Sequence, residues 1–308
     1  MAFHYHFGGV ELISEIAFPA LRASRAEGAA GPLIRVVEGQ GEAPAEDKFH
    51  FAWDGRLQMR LGESGGEWRV GSPWGAFVFD RDVSTVRVFG SDGPNLPIVR
   101  DMFVRRLLPR LIGLKGGWTY HAASLARNDK ALLIIGTSGA GKSTMSVGLG
   151  ATEGWDVLGD DMALVWNEGA EVVAPASADV TIWSQSCAGL RLPKEDCEPL
   201  PGYDGKYIYR PRRARRLDAV PLGGVLFLNR TACDGPRLDL HTRAEAFQLA
   251  LSQRVLFNPS GSAAEERVRS VTRLNGILGR TPAWTLTYPP SFAVLPAVSD
   301  LLSSALEG

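Results

Sequence analysis

One stretch constrains this chain more than any other: Gly136-Thr137-Ser138-Gly139-Ala140-Gly141-Lys142-Ser143-Thr144. It fits the pattern G-x-x-x-x-G-K-[ST], in which glycines let successive backbone N–H groups turn inward around phosphate oxygens. The pattern has force only between a strand and a helix. Here the apolar run Leu132–Ile135 feeds the loop, and a helix-compatible segment, Thr144–Gly150, leaves it. The helix N-terminus would add partial positive charge, Lys142 a full one, and the Ser143 hydroxyl a ligand for Mg²⁺. The expected ligand is therefore a nucleoside triphosphate with Mg²⁺.

The loop does not say what becomes of the phosphate. The guanine-reading N-K-x-D of switch GTPases and the L-S-G-G-Q signature of transport ATPases are both absent. Asp160-Asp161 follows the short apolar run Trp155–Leu158, eighteen and nineteen residues after Lys142. Two carboxylates at a strand's carboxyl end can divide two jobs, one holding Mg²⁺ and the other taking a proton from an attacking hydroxyl. Upstream, Thr119–Ala126 and Ala131–Ile135 are expected to pair as a hairpin about Asn128-Asp129, which sets His121 opposite Gly136 at the mouth of the loop.

The chain has 308 residues, room for two domains. Up to residue 95 it reads as a small β-rich domain. Alternating runs at Phe49–Trp53, Arg56–Leu61 and Thr85–Phe89 are punctuated by Asp54-Gly55, Gly65-Gly66 and Asp92-Gly93. The Gly-, Ala-, Pro- and Glu-rich stretch at 25–48 reads as a mobile loop. Residues 96–308 form the second, α/β domain. It opens on a helix, with Ile98, Met102, Leu107, Leu108, Leu111 and Ile112 at three- to four-residue spacing. Further on come strands at Val225–Leu228 and Trp284–Tyr288, a capping box at Thr242 and Glu245, and a helix over Ala263–Leu278.

Hydrophobic residues make up 45% of the chain and the net charge is −1, so no global field draws it to nucleic acid or to an anionic membrane. No apolar run is long enough for a membrane span, the N-terminus does not read as a signal peptide, and the protein is expected in the cytoplasm. The three cysteines, Cys187, Cys197 and Cys233, have neither metal-knuckle nor disulfide-framework spacing. A homo-oligomer is compatible with the sequence and not required by it.

Histidine, loop and aspartate pair agree in order and spacing with a known pattern, YHAASLARNDKALLIIGTSGAGKST followed by WDVLGDD. Over residues 118–165 the chain resembles the HPr kinase/phosphorylase family and its smaller relatives, among them kinases of lasso-peptide precursors. The resemblance implies a P-loop catalytic domain of the phosphoenolpyruvate carboxykinase/HPr kinase-like type, using ATP and Mg²⁺. It implies Asp161 as catalytic base, His121 as active-site histidine, Lys142 on the β/γ phosphates, and Ser143 and Asp160 at the metal. Where HPr kinases carry an E-I-R-G-L-G-like segment with a metal-binding Glu, this chain has Ser184-Gln185-Ser186-Cys187-Ala188-Gly189-Leu190. That departure argues against HPr as substrate and against the reverse phosphorylase reaction.

The expected activity is an ATP-dependent serine kinase acting on a peptide or small protein, with the C-terminal Ser of a ribosomally made precursor as acceptor. The alternatives are a kinase of an HPr-like protein or of a small-molecule hydroxyl, and a nucleotide-binding module that transfers nothing. The basic, tyrosine-bearing segment 206–216 is a candidate anion-binding element, with Lys206 and Arg210 as substrate contacts.

Overall fold

The structure is a computed structural model that describes residues 2–23, 31–53, 58–90, 96–152, 154–167, 169–176, 179–211, 216, 218–251 and 263–307. The turns expected at Asp54-Gly55 and Asp92-Gly93, and Arg212 to Arg215 of the basic segment, lie outside these residues.

Nine strands build the first sheet: β1 (Phe3–Phe7), β2 (Val10–Ser14), β3 (Arg22–Ala23), β4 (Leu33–Glu38), β5 (Lys48–Trp53), β6 (Met59–Ser64), β7 (Glu67–Ser72), β8 (Gly75–Phe79) and β9 (Thr85–Gly90). Their order is β3-β1-β2-β4-β9-β8-β7-β6-β5. The stretch expected as a mobile loop in fact supplies β4, which lies parallel between β2 and β9. Its signal was a two-residue alternation, Ile34 and Val36 buried with Leu33 and Arg35 outward, hidden among flanking Gly and Pro. The Gly65-Gly66 turn falls as expected, both residues at positive φ between β6 and β7.

The helical segment follows as α1 (Pro97–Met102), a π turn (Phe103–Leu107) and α2 (Leu108–Leu114). The π turn has a local cause. Pro109 lacks the N–H that would meet the Arg105 carbonyl, and the Leu108 N–H reaches back to the Phe103 carbonyl. The segment buries Met102, Phe103, Leu107, Leu108 and Leu111 against the first sheet. Leu164 of the second sheet and Ala176, just past the end of its strand β15, belong to the same core. Where the β1–β2 turn meets that sheet, the Gly8 N–H bonds to the Pro175 carbonyl at 2.7 Å and Trp166 Nε1 to the Gly8 carbonyl at 2.7 Å.

The second sheet holds β10 (Trp118–Tyr120), β11 (Ala122–Arg127), β12 (Lys130–Ile135), β13 (Asp156–Gly159), β14 (Ala163–Asn167), β15 (Glu171–Ala174), then β19 (Val220–Arg230), β20 (Arg237–Leu240) and β21 (Ala283–Tyr288). The strands β16 (Val180–Trp183), β17 (Cys197–Pro199) and β18 (Lys206–Tyr209) form a separate three-stranded sheet. The sheet is mixed: β12 and β21 both run parallel to β19, while β11 runs antiparallel to β12 and β13. The run Leu132 to Ile135 is apolar throughout because β12 is covered on both faces. Leu133 and Ile135 join a cluster with α5 (Arg243–Leu251) and α6 (Ala263–Leu278). Leu132 and Ile134 pack with α3 (Lys142–Gly150) and the C-terminal helix (Leu295–Glu307). The capping box forms at the start of α5, the Thr242 N–H reaching Glu245 Oε2 at 2.9 Å.

The hairpin register is the expected one, running from Ala122 opposite Ile135 to Arg127 opposite Lys130. The single strand expected over Thr119–Ala126 is, however, two. The chain changes partners at His121: β10 pairs with β14, and β11 pairs with β12 and β13. Among the described residues no helix is long and apolar enough to cross a membrane.

Candidate functional site

The loop after β12 turns on two glycines with left-handed backbone, Gly139 at φ 83° and Gly141 at φ 100°, and passes directly into α3. At Gly141 any Cβ would also come within 2.7 Å of the Tyr288 hydroxyl. That hydroxyl, at the end of β21, donates to the Ala140 carbonyl at 2.8 Å and braces the loop from behind. Lys142 Nζ folds back over the loop and donates to the Gly136 carbonyl at 2.7 Å. Thr144 Oγ1 and Ser186 Oγ are 2.8 Å apart, joining the start of α3 to α4 (Ser184–Gly189).

A cavity of about 520 Å³ opens in front of the loop. Its lining includes Thr137, Ser138, Gly139, Gly141, Lys142, Ser143 and Thr144, together with His121, Asp161 and Lys206. Of the residues expected from the sequence to act together, His121, Lys142, Ser143, Asp161 and Lys206 therefore share one pocket, while Gly136, Ala140, Asp160 and Arg210 do not line it. A second cavity of about 220 Å³ adjoins it across Gly141, Thr144, Gln185, Ser186 and Arg230, and is walled by Tyr288, Pro290, Phe292 and Leu295.

Asp160 and Asp161 have different surroundings. Asp160 is 6% exposed; its Oδ2 accepts from the Thr181 backbone N–H at 3.3 Å, and its Oδ1 is buried without a hydrogen-bond partner. Burial, reinforced by the Asp161 charge, pushes its carboxyl up to about 6 against the opposing hydrogen bond from Ser143. An orphaned buried carboxylate oxygen beside the Ser143 hydroxyl fits a small hard cation that takes its remaining ligands from phosphate and water. Among the described residues there is no cluster of three or more His, Cys, Asp or Glu that could hold a metal without such help.

Asp161 has a left-handed backbone, φ 66°, which costs a non-glycine residue on the order of 1 kcal/mol and is common where a side chain must be aimed. Burial alone would raise its carboxyl. Arg106, His121, Lys206 and Arg105 together outweigh that and hold it below the usual carboxylate value. His121 Nε2 lies 3.7 Å from Asp161 Oδ1, and Arg106 Nη1 lies 3.6 Å from Oδ2. Burial in turn lowers His121, favouring the neutral imidazole.

Three contributors were not read from the sequence. Arg106 comes from the π turn, whose irregular ladder no spacing rule reveals; the only available signal was a pair of arginines inside an apolar periodicity. Tyr288 and Arg230 arrive from β21 and β19, far along the chain, and had no local signal. Arg210, expected as a substrate contact, is placed elsewhere. Its guanidinium is held by Asp179, at 3.3 Å, and by Glu198, and it lines a separate small cavity beside Arg100 and Asp101. Lys206 opens β18 and Arg210 follows its last residue, and only Lys206 lines the loop's pocket.

The chain is an α/β protein of several sheets. No family model matches it, and no curated protein matches it. Among solved structures it is similar to the HPr(Ser) kinase/phosphatase from Coxiella burnetii, at 15% identity and a TM-score of 0.33, over 62% of this chain and 99% of that one.

Proposed function

We propose that the protein is an ATP- and Mg²⁺-dependent kinase that phosphorylates a seryl hydroxyl on a peptide. The observation that carries this reading is the shared pocket: a phosphate loop with its lysine, faced by an aspartate aimed by a left-handed backbone. Lys142 would leave the Gly136 carbonyl for the β/γ phosphates, and the apolar recess behind Tyr288 and Phe292 offers room for the base. Ser143 and Asp160 would hold Mg²⁺, which supplies charge neutralisation to the phosphates when bound.

In the transfer, the seryl oxygen forms a bond to the γ-phosphorus and its proton passes to an Asp161 oxygen. The bond from the γ-phosphorus to the β–γ bridging oxygen breaks, and ADP leaves with the electron pair. A positioned base contributes roughly 10²–10⁴-fold; alignment and neutralisation by Lys142 must supply much of the rest. The ribosomally made precursor peptide is favoured as acceptor by the sequence resemblance and by the absence of a carboxylate in Ser184–Leu190.

The test is a mass spectrum of a serine-ending peptide incubated with enzyme, ATP and Mg²⁺. A gain of about 80 Da per phosphate is expected, and Asp161→Asn should lower the rate by about 10² or more while ATP affinity stays within a few-fold. Phosphorylation of HPr or free serine with the peptide untouched would move the acceptor to those classes. ATP binding without transfer to any of them would make the chain a binding module.

A further inference from the structure

The kinase reading leaves part of the pocket's charge without a task. Lys142 and the loop face the triphosphate, and Arg230 lies between the two cavities. On the Asp161 side stand two more cations, Arg106 and Lys206. Arg106 is held loosely. Its Nη1 is 3.6 Å from Asp161 and its Nη2 is 3.3 Å from the Tyr203 hydroxyl, both longer than the 2.7–2.9 Å typical of a charge-assisted bond. Its neighbour Arg105 shows the contrast, with Nε 2.6 Å from Asp101 and the side chain buried. Lys206 Nζ rests over the rings of Trp183 and Tyr203, at 5.1 and 5.6 Å from their centroids. Among the described residues it has no carboxylate within ion-pair distance. Behind Arg106, Arg110 donates to the Arg106 carbonyl at 2.5 Å, and burial with the Arg106 charge beside it brings Arg110 down to about 10. Positive charge is in excess on this wall.

The backbone that carries Arg106 is, by contrast, held in place rigidly. Met102, Phe103, Val104, Leu107 and Leu108 surround Arg106 in sequence, and each is at most 1% exposed. The guanidinium therefore projects from an element locked into the core of the first sheet, and its reach is fixed relative to Asp161. A hydroxyl within hydrogen-bond distance of Asp161 leaves an anionic group on the same or the next residue within reach of the wall that Arg106 and Lys206 form.

On the kinase reading, we propose that Arg106 and Lys206 form an anion subsite for the acceptor. The preferred substrate carries a carboxylate beside its reacting hydroxyl, and Arg106 exchanges its loose contact with Asp161 for that carboxylate on docking. The first sheet, through its helix, thus contributes a specificity-determining residue to the site in the second.

Three synthetic peptides of one sequence test this: one ending in serine with a free carboxylate, one ending in serine amide, and one ending in Asp-Ser amide. The wild-type enzyme is expected to favour an anionic peptide over the neutral amide by about ten-fold or more in kcat/KM, mostly through KM. The first and third arms separate a terminal carboxylate from a side-chain one. Arg106→Gln should erase the preference while the ATP KM stays within about two-fold, and Lys206→Met, on a strand outside that core, should weaken it. Equal turnover of all three peptides by wild type, or a preference that survives both substitutions, would overturn the subsite.

Should no peptide be phosphorylated, the kinase reading for peptides fails separately. The subsite is then judged by calorimetric titration of the same peptides into protein saturated with a non-hydrolysable ATP analogue and Mg²⁺. Tighter binding of the anionic peptides, lost in Arg106→Gln, supports it; equal binding, or none, refutes it.

Discussion

Two adjacent aspartates are shifted in opposite directions because one backbone turn sends them into different surroundings. Asp160 points inward, loses water and retains an oxygen without a partner; Asp161 turns to a wall of cations. The consequence for stability has a definite sign. Asp160 has its carboxyl raised from 3.8 to about 6 in the folded protein, so the fold binds that proton more tightly than the unfolded chain does. Its favourable contribution is present below about pH 4 and is lost as the pH rises through about 6, leaving the metal-free protein destabilised at neutral pH. Asp160→Asn should therefore raise the melting temperature of the metal-free protein at pH 7.5 by a few degrees, with little difference near pH 4. It should also remove the stabilisation gained on adding ATP and Mg²⁺. A melt series with and without Mg²⁺ checks both halves, and a lower neutral-pH melting temperature would contradict the assignment of the buried carboxylate.

At the scale of elements, the glycine-rich loop between β12 and α3 is a strand-to-helix turn whose shape is fixed from outside as well as by its glycines. Gly141 needs its positive φ and has the Tyr288 hydroxyl where a side chain would go. Gly141→Ala is expected to cut ATP affinity by about ten-fold or more, through backbone strain and the clash together. Tyr288→Phe is milder. Loss of one hydrogen bond to the Ala140 carbonyl should cost about 1 kcal/mol and raise the ATP KM several-fold with kcat nearly unchanged. Steady-state kinetics against ATP separates the two. If Tyr288→Phe lowered kcat and left KM alone, the hydroxyl would belong to the chemistry rather than to the scaffold.

For the whole molecule, the helix between the sheets links folding of the first to the geometry of the site in the second. Leu107, fully buried next to Arg106, and Leu12, equally buried in the first sheet, are matched in cost: either Leu→Ala substitution should remove about 2–5 kcal/mol. Only Leu107→Ala should also impair phosphoryl transfer at a temperature where both variants stay folded, because only it loosens the π turn that aims Arg106. Activity and melting curves measured together would show this, and equal activity in the two variants would disconnect the helix from the site. The helix itself was legible in its apolar spacing, as were the glycine-rich loop's place between strand and helix, the hairpin register and the aspartates' place at the end of β13, because each is written in residues close together whose local chemistry has few alternatives. A glycine-rich turn after a buried apolar strand, or a positive-φ Asn128-Asp129 at a hairpin, follows from short-range sterics in any context. What local chemistry could not reveal was partnership at long range. The parallel place of β4 depends on β2 and β9, the break at His121 on two different neighbours, and the brace by Tyr288 on a strand almost 150 residues further on. The π turn is the sharpest case: Pro109 frees a carbonyl locally, yet only packing against the first sheet decides that the displaced turn brings Arg106 to Asp161, while Arg210, in the segment that read as a candidate anion-binding element, is taken up by Asp179 and Glu198.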